Sequence, residues 1–174
     1  MKKILIFSSI LLLIACSSSR KLTMTAERPQ YRPSALNHVI DGAIMELLDN
    51  PKEALFQYHQ AAEIDSTSPG IFITMAEDYY MLQEPEVSIR LAKKALRLDP
   101  DNLDARYILA LSYEATKQYD QALSIYQQIV KMRPHDIESL YYLTSLQVIA
   151  GKPKDAMKNY KKMLRSGFDD PQYL

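Results

Sequence analysis

Two prolines 34 residues apart, Pro100 and Pro134, constrain this chain more than any other feature in it. Each follows the end of an amphipathic helical pattern, in Leu98-Asp99-Pro100 and Met132-Arg133-Pro134. The residue before a proline avoids the helical region, so both mark helix ends. Between them lie two helical patterns separated by Lys117-Gln118-Tyr119-Asp120. A two-helix unit of this size cannot bury its apolar face alone, but stacked copies can. The same step recurs elsewhere. Ala54, Ser88, Ala122 and Ala156 are small and one period apart, in the phrases PKEAL, EPEVSI, QYDQAL and KPKDAM. Small side chains there let the two helices of a hairpin approach closely. Further along each helix come Tyr58, Ala92, Tyr126 and Tyr160, then Ala61, Ala95, Ile129 and Met163, which keeps the apolar face at helical spacing.

The spacing predicts four hairpins, over residues 35–68, 69–102, 103–136 and 137–170. Pro51 and Pro153 fall near the starts of second helices, where the missing N–H costs nothing. Gly70 and Gly151 read as breaks between helices. Only four glycines occur in 174 residues, which fits a helical chain.

These residues resemble the tetratricopeptide repeat, whose pattern runs W-x2-L-G-x2-Y, then A-x3-F, then P. Phe72, Met75, Ala76, Tyr79, Ser88 and Pro100 fit the second unit, with Ala92 in place of the aromatic. Leu109, Ala110, Tyr113, Ala122, Tyr126 and Pro134 fit the third, with Arg106 departing at the first aromatic position. In the fourth, Leu140, Leu143, Ala156 and Tyr160 fit, while Thr144, Gln147 and Phe168 depart. In the first, Gly42, Ala54, Tyr58 and Ala61 fit, but Asp41 stands where leucine is expected. The resemblance implies an all-α, right-handed α-solenoid of about four helix-turn-helix repeats. End repeats that face solvent on one side are expected to fit less well.

Ahead of the array, residues 1–15 read MKKILIFSSILLLIA, with a short basic start and an apolar run of 12 residues from Ile4 to Ala15. A spanning helix needs roughly 20 apolar residues. The layout is that of a secretory signal peptide. Read from the residues alone, Cys16 is either a free exported thiol or the point at which the segment is removed. Leu13-Ile14-Ala15-Cys16 resembles the lipobox of bacterial lipoproteins. That resemblance implies lipidation at Cys16 and attachment to the cell envelope without a membrane span. Ser17 in place of an aspartate resembles sorting to the outer membrane, and the non-acidic Ser18-Ser19-Arg20-Lys21 do not resemble a surface-export tether, which implies the periplasmic face. Residues 16–34 contain Pro29 and Pro33 and no helical or strand period, and are expected to be a flexible tether. Such a coil spans roughly 25 Å.

Lys and Arg total 21, as do Asp and Glu, and no block of like charge marks a nucleic-acid surface. His38, His59 and His135 are isolated and lack metal-ligand spacing. Neither a glycine-rich phosphate loop nor a nucleophile motif occurs. The chain is therefore expected to be no enzyme, with neither cofactor nor metal nor small-molecule substrate. Asp99, Asp101, Asp169 and Asp170 fall in connectors and read as helix-cap chemistry.

In tetratricopeptide arrays the concave groove, lined by the first helices, holds a peptide or partner helix. Carried over by helix phase, the groove here comprises Val39, Ile73, Glu77, Tyr80, Tyr107, Leu111, Glu114, Tyr141 and Val148. Chaperone-binding members clamp a terminal carboxylate with lysine and asparagine in these rows, and neither occurs there. The expected function is a lipid-anchored scaffold that binds segments of envelope proteins. A second expectation comes from Pro171-Gln172-Tyr173-Leu174, which resembles the opening of another repeat. On that reading the chain is the docking or regulatory arm of a longer envelope protein or enzyme.

Overall fold

The computed structural model describes residues 33–167. The expected signal segment, Cys16, most of the tether and the opening of a further repeat lie outside these residues. Eight helices follow one another: α1 (Pro33–Leu47), α2 (Pro51–Ile64), α3 (Pro69–Met81), α4 (Pro85–Leu98), α5 (Leu103–Ala115), α6 (Tyr119–Met132), α7 (Ile137–Ile149) and α8 (Pro153–Arg165). Second helices open at Pro51, Pro85, Tyr119 and Pro153, one period apart. Each helix packs mainly on its sequence neighbours, with α3 also touching α5. The result is a solenoid, in which stability is close to a sum over repeats and their interfaces.

Proline at the first helical position opens α2, α3, α4 and α8. Side chains cap α5 and α7: Asn102 accepts from the Ala105 amide at 2.9 Å, and Asp136 from the Ser139 amide at 3.0 Å. Gly70 lies inside the first turn of α3, so it marks no break; the break precedes it at Ser68. Gly151 does mark one, and its φ of 67° shows why. Asp49, Gln83 and Lys117 occupy the same left-handed conformation, with φ of 56°, 63° and 58°. All four stand one period apart and close the same turn. In the third repeat the Lys117 amide donates to the Glu114 carbonyl and the Gln118 amide to that of Tyr113, both at 2.8 Å. Three of the four positions hold a side chain that costs roughly 1–2 kcal/mol in this conformation.

The predicted small residues do what the spacing required: Ala54, Ser88 and Ala122 are 0% exposed and Ala156 4%. The Ser88 and Ser112 hydroxyls meet at 2.8 Å between α4 and α5, which satisfies both in the interior. At the pattern departures in the fourth repeat, the Asn159 amide donates to Gln147 at 2.9 Å, a buried polar pair. Arg106 binds the Asn102 carbonyl at 3.3 Å and lies 4.0 Å from Asp101. Two apolar clusters make one elongated core, and Leu91 and Leu96 pack against both. Full burial of a large apolar side chain contributes about 1.5–3 kcal/mol. Tyr126 and Ile129 are completely enclosed.

Candidate groove on the first helices

Four of the nine expected groove residues come together in one cleft between α3 and α5. Glu77, Tyr80, Tyr107 and Leu111 line it with Met81, Asp104 and Ile108, around a volume of about 280 Å³. Positions 104, 107, 108 and 111 follow helical spacing, so Asp104 and Ile108 were within reach of the same phase argument. Met81, the most open apolar side chain in the cleft, closes the row on α3 and was also missed.

The other five lie elsewhere. Ile73 is buried in the core cluster, and Val39 packs against the same cluster. Their side chains serve inter-repeat packing. Glu114 is half-buried, its carboxyl beside the Tyr126 hydroxyl, although neither the Glu114 Oε1 nor that hydroxyl reaches hydrogen-bonding geometry. Burial pushes the Glu114 carboxyl above its ordinary value. Tyr141 and Val148 stand well exposed along α7. Tyr141 lines a separate open recess with His135, Asp136, Glu138 and Tyr142.

Tyr107 has two jobs. Its ring forms part of the cleft wall and packs edge-on against Tyr126, with centroids 6.4 Å apart. Its hydroxyl donates to Asp136, the N-cap of α7. Burial, then the neighbouring carboxylate, raises the phenol. For Asp136, burial works upward, but hydrogen bonds from Tyr107 and Ser139 hold it below the ordinary carboxylate value. Tyr126 is stacked on Tyr142 from the other side, at 5.4 Å and 11° between planes. This aromatic column runs from α5 through α6 to α7.

A carboxylate group extends the cleft toward α1. Tyr58 donates to Glu46 at 2.6 Å. Beside Glu46 lies Asp78, which burial and the charges of Glu46 and Glu77 push up to about 7. Burial, then Asp104 and Glu46, raises Glu77 as well. Among the described residues none of these carboxylates forms an ion pair within 4.0 Å.

The three histidines lie apart from one another. His38 bonds to Gln57 at 2.8 Å, His59 to Tyr79 at 3.0 Å, and His135 rims the α7 recess. No cluster of potential metal ligands occurs among the described residues.

Stacked helix pairs with an apolar, tyrosine-bearing cleft on the first helices define an α-solenoid of the protein–protein interaction class. A sequence model of the tetratricopeptide repeat family matches residues 83–145 and 114–174, more than half of the chain, and the chain belongs to that family. Among relatives, the TPR repeat-containing protein YpiA of Bacillus subtilis is 22% identical over 144 residues, covering 83% of this chain and 32% of its own. Tetratricopeptide repeat protein 8 of Caenorhabditis elegans is 23% identical over 101 residues, 58% of this chain and 20% of its own. The chain thus spans well under half the length of these relatives. Among solved structures, MamA superposes with a TM-score of 0.73 at 21% identity, covering 80% of this chain and 81% of its own. The first TPR domain of Spaghetti (RPAP3), bound to the HSP90 peptide SRMEEVD, gives 0.62 at 19% identity, over 67% of this chain and 96% of its own. These likenesses establish the fold, and no enzyme family is indicated by them.

Proposed function

We propose that this chain is a lipid-anchored scaffold of the cell envelope whose groove holds peptide or helical segments of partner proteins during envelope assembly. The observation that supports groove binding is the cleft itself. Tyr80, Tyr107 and Leu111, each only partly buried, offer apolar and aromatic surface to it over a floor that includes the buried Ile108. Tyrosine supplies large contact area at low entropic cost. Solved relatives bind peptides in the same fold, one of them SRMEEVD and another the HSP70 peptide SGPTIEEVD.

The anchoring half of the proposal rests on the sequence. A basic start, a short apolar run and Cys16 in a lipobox-like phrase favour a thioether lipid on an exported chain. Among the described residues no helix is long and apolar enough to cross a membrane. More than one acyl chain gives stable attachment, at ~0.8 kcal/mol per buried methylene.

One experiment addresses both halves: crosslinking capture from intact cells with wild type, Cys16→Ala and Leu111→Asp, each scored for membrane fractionation. Cys16→Ala is expected to leave the membrane fraction. Leu111→Asp is expected to remain there and lose its partners. A Cys16→Ala chain that stays on membranes refutes the anchor, and undiminished capture by Leu111→Asp refutes the groove. Leu111 is a better probe than Tyr107, whose removal also strips Asp136 of a hydrogen bond.

A further inference from the structure

The overall neutrality of the chain conceals a division of charge between the two rows of helices. The four first helices, α1, α3, α5 and α7, carry seven carboxylates and a single basic side chain, Arg106. The four second helices carry eleven lysines and arginines against five carboxylates. Arg106 cannot neutralise the inner row, because it is committed to the Asn102 carbonyl and to Asp101 in the preceding connector. The row of first helices therefore carries charge of one sign, which favours an oppositely charged partner.

At the cleft this charge meets apolar surface. Glu77 on α3 and Asp104 on α5 stand across the same 280 Å³ from one another, around Tyr80, Ile108 and Leu111. We propose that the occupant of this cleft is a cationic segment of a partner protein, with lysine or arginine flanking aliphatic or aromatic residues. The inference rests on the groove reading above and specifies its partner by charge. An apolar side chain would fill the floor, and a guanidinium or ammonium would reach Glu77 and Asp104 at the rim. Arginine gains most, since its planar fork matches a carboxylate in two bonds and its face stacks on tyrosine. The raised protonation point of Glu77, which burial, Asp104 and Glu46 produce, accords with carboxylates held close without a counter-charge. By the same reasoning an acidic tail such as SRMEEVD, which the Spaghetti domain binds, is repelled here.

The test is selection of random 12-residue peptides displayed on phage, against full-length protein in detergent micelles, with SRMEEVD as a direct binding control. Expected are enriched peptides rich in Lys and Arg beside Leu, Phe or Tyr. Their affinity should fall at least tenfold with Glu77→Gln/Asp104→Asn and fall again with added salt. SRMEEVD should not bind. Enriched peptides that are neutral or acidic, yet lost in Leu111→Asp, overturn the charge assignment and leave the groove standing. Binding that survives Leu111→Asp, in a variant of unchanged circular dichroism, overturns the groove as well. Basic peptides indifferent to the Glu77/Asp104 pair also overturn the assignment.

Discussion

The third and fourth repeats follow the same pattern over the same number of residues, yet they use their equivalent aromatic in opposite ways. Tyr126 in α6 is 0% exposed and sits between Tyr107 and Tyr142. Tyr160, one period later in α8, is 43% exposed, alongside open Met157 and Leu164. The difference comes from position in the array. Tyr142 of the next repeat closes over Tyr126, whereas α8 is the last helix among the described residues. The repeat pattern thus prescribes a residue type, and stacking decides what that residue contributes.

The largest test of this comparison is truncation of the two tyrosines. Tyr126→Ala should cost about 3–5 kcal/mol, the usual range for deleting an enclosed aromatic. Tyr160→Ala should cost less, because a side chain 43% exposed gives up less buried surface on truncation. Urea denaturation of both variants measures the gap, and equal losses would mean that burial in the column is not what separates them.

Next comes the opposite end of the array. Gly42 and Ala110 hold the same place in the first and third repeats, and Ala110 is fully buried. A Cβ on Gly42 would lie 2.6–2.9 Å from the Tyr58 ring, which lies over the glycine. Gly42→Ala should therefore cost roughly 1–3 kcal/mol by overpacking. Gly70→Ala, whose nearest neighbour would be Ser68 Oγ at 3.9 Å, should stabilise by about 0.4–1 kcal/mol. Thermal unfolding of the two variants should move in opposite directions; a stabilised Gly42→Ala would show that the first repeat has slack the third lacks.

The smallest effect concerns the turn shared by all repeats. Lys117→Gly relieves a left-handed side chain, less the entropy that glycine loses, for a net gain below about 1 kcal/mol. Gly151→Ala in the fourth repeat should lose a similar amount, because its Cβ would meet nothing and only its φ of 67° matters. If both changes left the midpoint unmoved, the left-handed turn would not be a source of strain in either repeat.

The fold was legible because the spacing of Ala54, Ser88, Ala122 and Ala156 reports a requirement of close helix approach, which tolerates few residues. The turns were less legible. Asp49, Gln83 and Lys117 adopt a conformation that glycine announces, but the hydrogen bonds of the turn hold them there without glycine, and only Gly151 gave a signal. At the site, helix phase brought Glu77, Tyr80, Tyr107 and Leu111 into one cleft but carried Ile73 along with them. Phase fixes which way a residue points along its own helix and does not show how closely the neighbouring repeat covers it. The separation of charge between rows was invisible in a total that sums to zero.

The hydrogen bond from Tyr107 to Asp136 has a mechanical side. It joins the third first-helix to the start of the fourth, so it bridges two repeats instead of closing one. Rotation of the fourth repeat against the third must stretch this bond, pull Asp136 from the first turn of α7, or draw the Tyr107 ring out of the cleft wall. Curvature and groove shape are consequently tied together at this junction. The array resembles a spring with one coil pinned to the next, and the pin passes through the surface that a partner would touch.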